Sequence, residues 1–256
     1  MSQQPIGPEQ PLISHLLELR DRLLKVVIVV LVLFAGLYVF SDQLYIFTSK
    51  PLQDILVKLP EGSHMIATGV ASPFLVPFKL AMVAAVFLAI PFILHQAWAF
   101  IAPGLYKHEK RFAIPLLVSS VLLFYCGVVF AYFVVLPMVF GFFALAAPAG
   151  VAVMPDISNI LDFILKLFFA FGLAFEIPIA TFLLILTGIT SVASLSEKRP
   201  YIIVGCFVIG MLVTPPDVFS QSILAVPMCL LFELGLFAGR FIKKPIDTAD
   251  ATDEQV

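Results

Sequence analysis

Charge is what this chain has least of: only 12% of its 256 residues are Asp, Glu, Lys or Arg, about half the share in a soluble domain. The balance is also nearly neutral, a formal −2, which argues against a nucleic-acid binder. Cysteine is scarce. Cys126, Cys206 and Cys229 each sit inside an apolar run, with no CxxC and no neighbouring histidine. They read as small packing residues, not as a disulfide framework or a metal site. His15, His64, His95 and His108 have no ligand-like spacing. There is no HExxH, GxSxG, Walker loop or GxGxxG, so nothing points to an enzyme, a cofactor or a bound metal. Nor is there the pattern of a cleaved leader. The first apolar run follows a polar stretch with Glu18, Arg20, Asp21, Arg22 and Lys25, and no small-x-small site comes after it. It is read as a retained first span.

What fills the space is apolar: 61% hydrophobic residues and a mean hydropathy of +1.07. A soluble fold of this size could not hide that surface, whereas lipid removes the need to. The expectation is an all-α membrane protein, one domain over residues 1–241. Six spans are expected at 23–40, 73–101, 112–145, 160–187, 201–213 and 218–238. They form a concave bundle in which the last two spans are short. Pro115 and Pro137 sit in the long third run and are expected to kink it or mark its ends. The loop 41–72 is too long for a turn; its mixed stretches 43–47 and 52–59 suit interfacial helices or a cap. Residues 242–256 read as a polar, disordered tail.

Basic residues set the orientation. Eleven of the fifteen lie on the side that holds both termini, and only Lys50 and Lys58 lie in the opposite loops. By the positive-inside rule both ends are cytoplasmic, which requires an even number of spans. The fifth span has 13 residues before Thr214-Pro215-Pro216-Asp217. A helix of that length covers roughly 20 Å against a hydrocarbon core of about 30 Å. So short a hairpin favours local thinning of the bilayer or recruitment of partner helices.

Three constellations could carry function. Glu176, in LAFEIPIA, falls inside the fourth span with Pro178 just after it. At that depth a carboxylate needs a partner, a wet cavity or a proton. It is either a functional acid or a protonated, hydrogen-bonded structural one, and it is expected to meet Gln221, Thr214 or a partner's polar group. Glu233, further along, is expected to pair with a basic neighbour such as Arg240. Secondly, Pro11–Leu24 is an amphipathic helix whose Glu18 either pairs with Arg22 at i,i+4 or binds a ligand. Thirdly, Phe100–Arg111, FIAPGLYKHEKR, sets Glu109 among cations and aromatics. That carboxylate could take a guanidinium bidentately or form a local ion pair of little worth. On these features alone, a proton-coupled transporter of a small solute using Glu176 stays open.

Longer motifs go further. HLLELRDRL (15–23), ASPF (71–74), FIAPGLYKHEKR (100–111), FAYFVVLP (130–137), KRPY (198–201) and LVTPPDVFSQ (212–221) resemble the TatC family. The likeness runs from about residue 11 to 241. It implies a receptor and core subunit of a translocase that exports folded proteins with twin-arginine signal peptides. The translocase works in the bacterial inner membrane, is driven by the proton-motive force, and includes single-span TatA- and TatB-type subunits. Self-association in a complex is implied as well. By the same resemblance Glu18, Glu109, Phe100 and Arg20 belong to the signal-peptide site. Glu176, Gln221 and Thr214 form an intramembrane polar site where partner helices dock, and Pro51 is a sensitive position of the outer loop.

Overall fold

The computed structural model describes residues 10–57, 63–101, 110–146, 153–214 and 217–241. Its regular elements are helices: α1 (Gln10–Tyr38), α2 (Ser41–Leu56), α3 (Ser72–Ile101), α4 (Lys110–Phe130), a π-helical turn (Ala131–Val135), α5 (Leu136–Ala146), α6 (Ile157–Ala174), α7 (Ile177–Leu186), α8 (Val192–Glu197), α9 (Arg199–Val213) and α10 (Val218–Gly239). Four stretches are long and apolar enough to cross a bilayer: Ser72–Phe100, Ile114–Ala146, Ile157–Leu186 and Val218–Gly239. α1, from which α2 turns away by 86°, and the shorter apolar α9 can supply the other two, so the six expected crossings are accommodated. The shortness expected of the last two spans resides in α9. Its 15 residues cover about 22 Å, while the 22 residues of α10 cover about 33 Å.

The amphipathic segment and the first span are one continuous helix, α1. The apolar run ends at Phe40 and the polar Ser41-Asp42-Gln43 follows, so the chain turns by 86° and continues as α2. Asp42 in its first turn complements the helix dipole. The loop expected over 41–72 is therefore largely this single helix, running through Pro51 rather than stopping there. Pro51 has no N–H to give the Phe47 carbonyl. The Tyr132 hydroxyl donates to that carbonyl instead, at 2.9 Å. The same device recurs in α3, where Pro91 frees the Phe87 carbonyl and Tyr125 donates to it at 2.9 Å. Tyr125 and Tyr132 lie seven residues apart, two turns along one face.

Pro137 is absorbed differently. An α-helical ladder would drive its ring into the Phe133 carbonyl. The chain widens by one residue over Ala131–Val135, and the Leu136 N–H reaches back to Ala131. Pro115 lies within α4 without a break. Pro178 does interrupt the fourth run: α6 ends at Ala174 and α7 begins at Ile177, leaving Glu176 at the junction.

α1 packs along α3, α4 against α6, α2 against α3 and α5, and α10 against α7 and α9. The main core gathers Leu52, Val135, Leu136, Val139, Ile164, Leu167, Phe171 and Leu224 around the π-helical turn. Close approach of α10 to α7 depends on Gly235, where a Cβ would stand 2.9 Å from the Pro178 Cα. Small residues are how membrane helices gain contact without a hydrophobic drive between them. At the end away from the α1 N-terminus, Ile66 and Asp156 form an isolated parallel bridge. Ser158 donates to Ser72 at 2.8 Å, and Lys79 pairs with Asp162 at 2.6 Å.

Candidate functional site

Two polar sites and a helix tip stand out. The first lies where the N-terminal part of α1 meets the C-terminal end of α3. Glu18 Oε1 accepts from Arg22 Nη2 at 2.6 Å and from Nε at 3.0 Å. The same guanidinium donates to Gln96 Oε1 at 3.0 Å and to the Ala99 carbonyl at 3.3 Å. Arg22 thus ties Glu18 to the turn that ends in Phe100. The Glu18 side chain is 40% exposed and Arg22 23%. Of the two outcomes open for Glu18, the i,i+4 pair is present, and the carboxylate still faces solvent. Phe100, half-buried, follows Ala99, whose carbonyl Arg22 holds. Arg20 points elsewhere: it pairs with Asp21 at 2.8 Å, both exposed. Glu109 and the loop 102–109 lie outside the described residues.

The second site is the break at Glu176. Its Oε2 accepts from the Ser120 hydroxyl of α4 at 2.5 Å. Its Oε1 is buried without a partner among the described residues. The residues on either side of it in the chain, Ala174, Phe175 and Ile177, belong to an apolar cluster with Cys206, Ala225 and Met228. An acid here holds one hydrogen bond and lacks a second donor, a costly condition in an apolar setting. The partner expected from the sequence was Gln221, Thr214 or a polar residue of a partner's helix; within this chain it is Ser120. Ser119-Ser120, the one pair of serines in an otherwise apolar run, was the signal that could have found it.

Gln221 and Thr214 each turn to a carbonyl of α9 instead. Gln221 Nε2 donates to the Phe207 carbonyl at 2.8 Å, and Thr214 Oγ1 to the Gly210 carbonyl at 2.9 Å. Gly210 lies against Gln221, where a Cβ would stand 3.2 Å from its Cγ. Both side chains serve carbonyls of α9, one at the end of the ladder and one within it, which stiffens the tip. Pro215 and Pro216 lie outside the described residues.

Glu233 has the basic partner expected of it, though a different one from the example named. It pairs with Arg199, not Arg240, in a two-bond fork at 2.6 and 2.9 Å. Arg199 opens α9 across from the last turns of α10, so an edge of the planar guanidinium meets both carboxylate oxygens. Pro51 sits on α2 beside Lys50, Asp54 and Tyr132. Among the described residues there is no cluster of His, Cys, Asp or Glu that could hold a metal.

Comparison with known proteins agrees along nearly the whole chain. The family model described as Sec-independent protein translocase protein (TatC) matches residues 14–227. The curated TatC protein of Azotobacter chroococcum mcd 1 is 63% identical over 235 residues, 92% of this chain and 91% of that one. That of Escherichia coli strain K12 is 57% identical over 232 residues, 91% and 89% of the two chains. A crystal structure of the twin arginine translocase receptor TatC superimposes with a TM-score of 0.78 at 35% identity. It covers 88% of this chain and 98% of that one.

Proposed function

This chain belongs to the TatC family of Sec-independent protein translocase proteins, and from that premise we propose that it is the receptor for twin-arginine signal peptides and the core of an exporting complex. As a translocase subunit it is not an enzyme, and the solute-transporter alternative falls away. In this proposal residues 1–241 are one membrane domain of the bacterial inner membrane with both termini cytoplasmic, followed by a polar tail. TatA- and TatB-type helices are the partners, and the proton-motive force drives export.

The observation that carries the recognition half is the Glu18 site. Its carboxylate already holds a guanidinium through two bonds, at an exposed position beside the Phe100 turn. A site that holds one arginine can hold the arginine of a peptide. Glu109, in the loop that follows Phe100, supplies the second carboxylate in this proposal, and Arg20 lies nearby on α1. Glu176 is the intramembrane acid: its unpartnered oxygen suits a donor brought by a docking helix, with Gln221 and Thr214 shaping the tip beside it.

The test is binding of a twin-arginine peptide to the purified protein. Glu109→Gln removes one charge-assisted bond and is expected to weaken binding by about 1.5–3 kcal/mol. A Lys-Lys peptide is expected to bind poorly because the guanidinium fork is lost. A photoprobe on the peptide is expected to capture the segment around Glu109. Full-strength binding by the double variant Glu18→Gln, Glu109→Gln overturns the assignment.

A further inference from the structure

On the face opposite Glu18 there is a cavity of about 400 Å³ that the recognition site leaves unused. It lies where α2 crosses the π-helical turn. One wall is aromatic: the rings of Phe47 and Tyr132 stack 4.9 Å apart at 3°. That wall is fixed, because Pro51 frees the Phe47 carbonyl and the Tyr132 hydroxyl holds it. Phe133 and Pro137 continue the lining, and Phe133 is 66% exposed. The polar groups are Lys50 and Asp54, one turn apart on the same face of α2.

Glu18–Arg22, Lys79–Asp162 and Arg199–Glu233 are joined at 2.6 Å. Lys50 and Asp54 have the i,i+4 spacing that permits a pair, yet neither has an ion-pair partner among the described residues, including the other. A cation and an anion therefore face one cavity side by side, with an aromatic wall between them and the core. Their level in the membrane follows from α2, which leaves the first span at 86°. A helix so placed runs along the interface, where lipid headgroups lie.

We propose that this cavity binds one phospholipid of that leaflet, with a headgroup made of a phosphate and a primary ammonium. Lys50 donates to the phosphate. Asp54 accepts from the ammonium, which has N–H groups to give. The acyl chains run inward along the exposed Phe133. A quaternary ammonium has no N–H and loses the Asp54 bond, keeping only attraction to the ring wall. An anionic headgroup without an amine leaves Asp54 facing a like charge. The cavity thus selects by what its two charges need, not by net charge.

The experiment places the protein in phosphatidylcholine nanodiscs. Trace photoactivatable lipids are added with a diazirine on the acyl chain and a phosphoethanolamine, phosphocholine or phosphoglycerol headgroup. Crosslinks to 44–57 and 129–138 are mapped by mass spectrometry. The phosphoethanolamine lipid is expected to label these segments about tenfold more than either other lipid, the value of one charge-assisted bond. Asp54→Asn is expected to erase its advantage over the phosphocholine lipid, and Lys50→Gln to lower labelling by all three. Both residues are exposed, so both variants are expected to keep the wild-type circular dichroism. Equal labelling by the three lipids in the wild type, without any variant, overturns the proposal and marks ordinary annular lipid. Persistence of the preference in Asp54→Asn overturns it too. So does competition by soluble glycerophosphoethanolamine at concentrations comparable to the lipid, which would assign the cavity to a free solute.

Discussion

Two spans of nearly equal length each carry a proline well past their middle, and only one of them breaks. Ser72–Phe100 contains Pro91 and stays a continuous helix; Ile157–Leu186 contains Pro178 and is interrupted before it. The difference is what answers the missing N–H. In α3 the freed Phe87 carbonyl receives the Tyr125 hydroxyl. At Pro178 the chain leaves the helix for two residues and sets a carboxylate at the gap, held by Ser120. One proline is sealed and the other is kept open for a polar group. A membrane protein tolerates a broken ladder only where something re-satisfies it, so the unsealed break is where function is expected.

The sharpest way to break this contrast is to seal the second site. Replacing Glu176 with Leu and Ser120 with Ala removes both partners and the unpartnered Oε1 together. Removing a buried unsatisfied group is worth about 1–3 kcal/mol. The double variant is therefore expected to unfold at higher denaturant in detergent, while export of a twin-arginine cargo collapses and peptide binding at the Glu18 face survives. Loss of stability would show that Glu176 holds the bundle together, and normal export would remove its role in transport.

Sealing in the other span depends on one hydroxyl. Tyr125→Phe leaves the Phe87 carbonyl bare and is expected to cost about 1–3 kcal/mol, read from the unfolding midpoint. The expectation is sharpened by Pro91→Ala, which restores a backbone N–H to that carbonyl. In the Tyr125→Phe background Pro91→Ala should recover most of the loss, a coupling that a double-mutant cycle measures. Independent, additive effects would mean that the tyrosine does not serve the proline.

Much of this was legible in the residues. The apolar runs placed the spans within a few residues, because lipid imposes a continuous length requirement on each. Pro178 and Glu176 were readable as a break with an acid. The partners were not. Ser120 reaches Glu176 only through the packing of α4 on α6, and Arg199 reaches Glu233 through that of α9 on α10; neither spacing is local. The sequence near Glu233 offered Arg240, one helix turn too far along the same helix to be held by geometry. Likewise Pro137 read as a kink or an end of its span, and Pro51 lay in what was read as a loop. Their resolution, by a tyrosine from another helix and by a widened turn, depends on neighbours that no single segment contains. The continuity of α1 was missed for the opposite reason: a polar-to-apolar change in composition marks where the surroundings change, not where a helix stops.

The smallest expected effect concerns the outer ends of the same two spans, which are tied by one carboxylate. Asp156 caps α6, accepting from the Ser158 N–H at 2.9 Å and the Asn159 N–H at 3.1 Å. Its other oxygen accepts from the Thr68 hydroxyl and the Thr68 N–H, in the segment that leads into α3. These bonds, the Thr68 hydroxyl first, hold the Asp156 carboxyl down at about 2 from an ordinary 3.8. A carboxylate with a lowered value stabilises the fold above its ordinary value, and that contribution is lost as pH falls through the folded one. The window is therefore from about 3.8 down to about 2. Within it, amide exchange of Ile66, Thr68 and Ser158 is expected to speed up relative to that of α10. Asp156→Asn separates charge from capping, since asparagine is an equally good N-cap. It should keep α6 capped yet flatten the pH response, because nothing is left there to protonate. A pH response unchanged in Asp156→Asn would place the titrating group elsewhere and overturn the assignment.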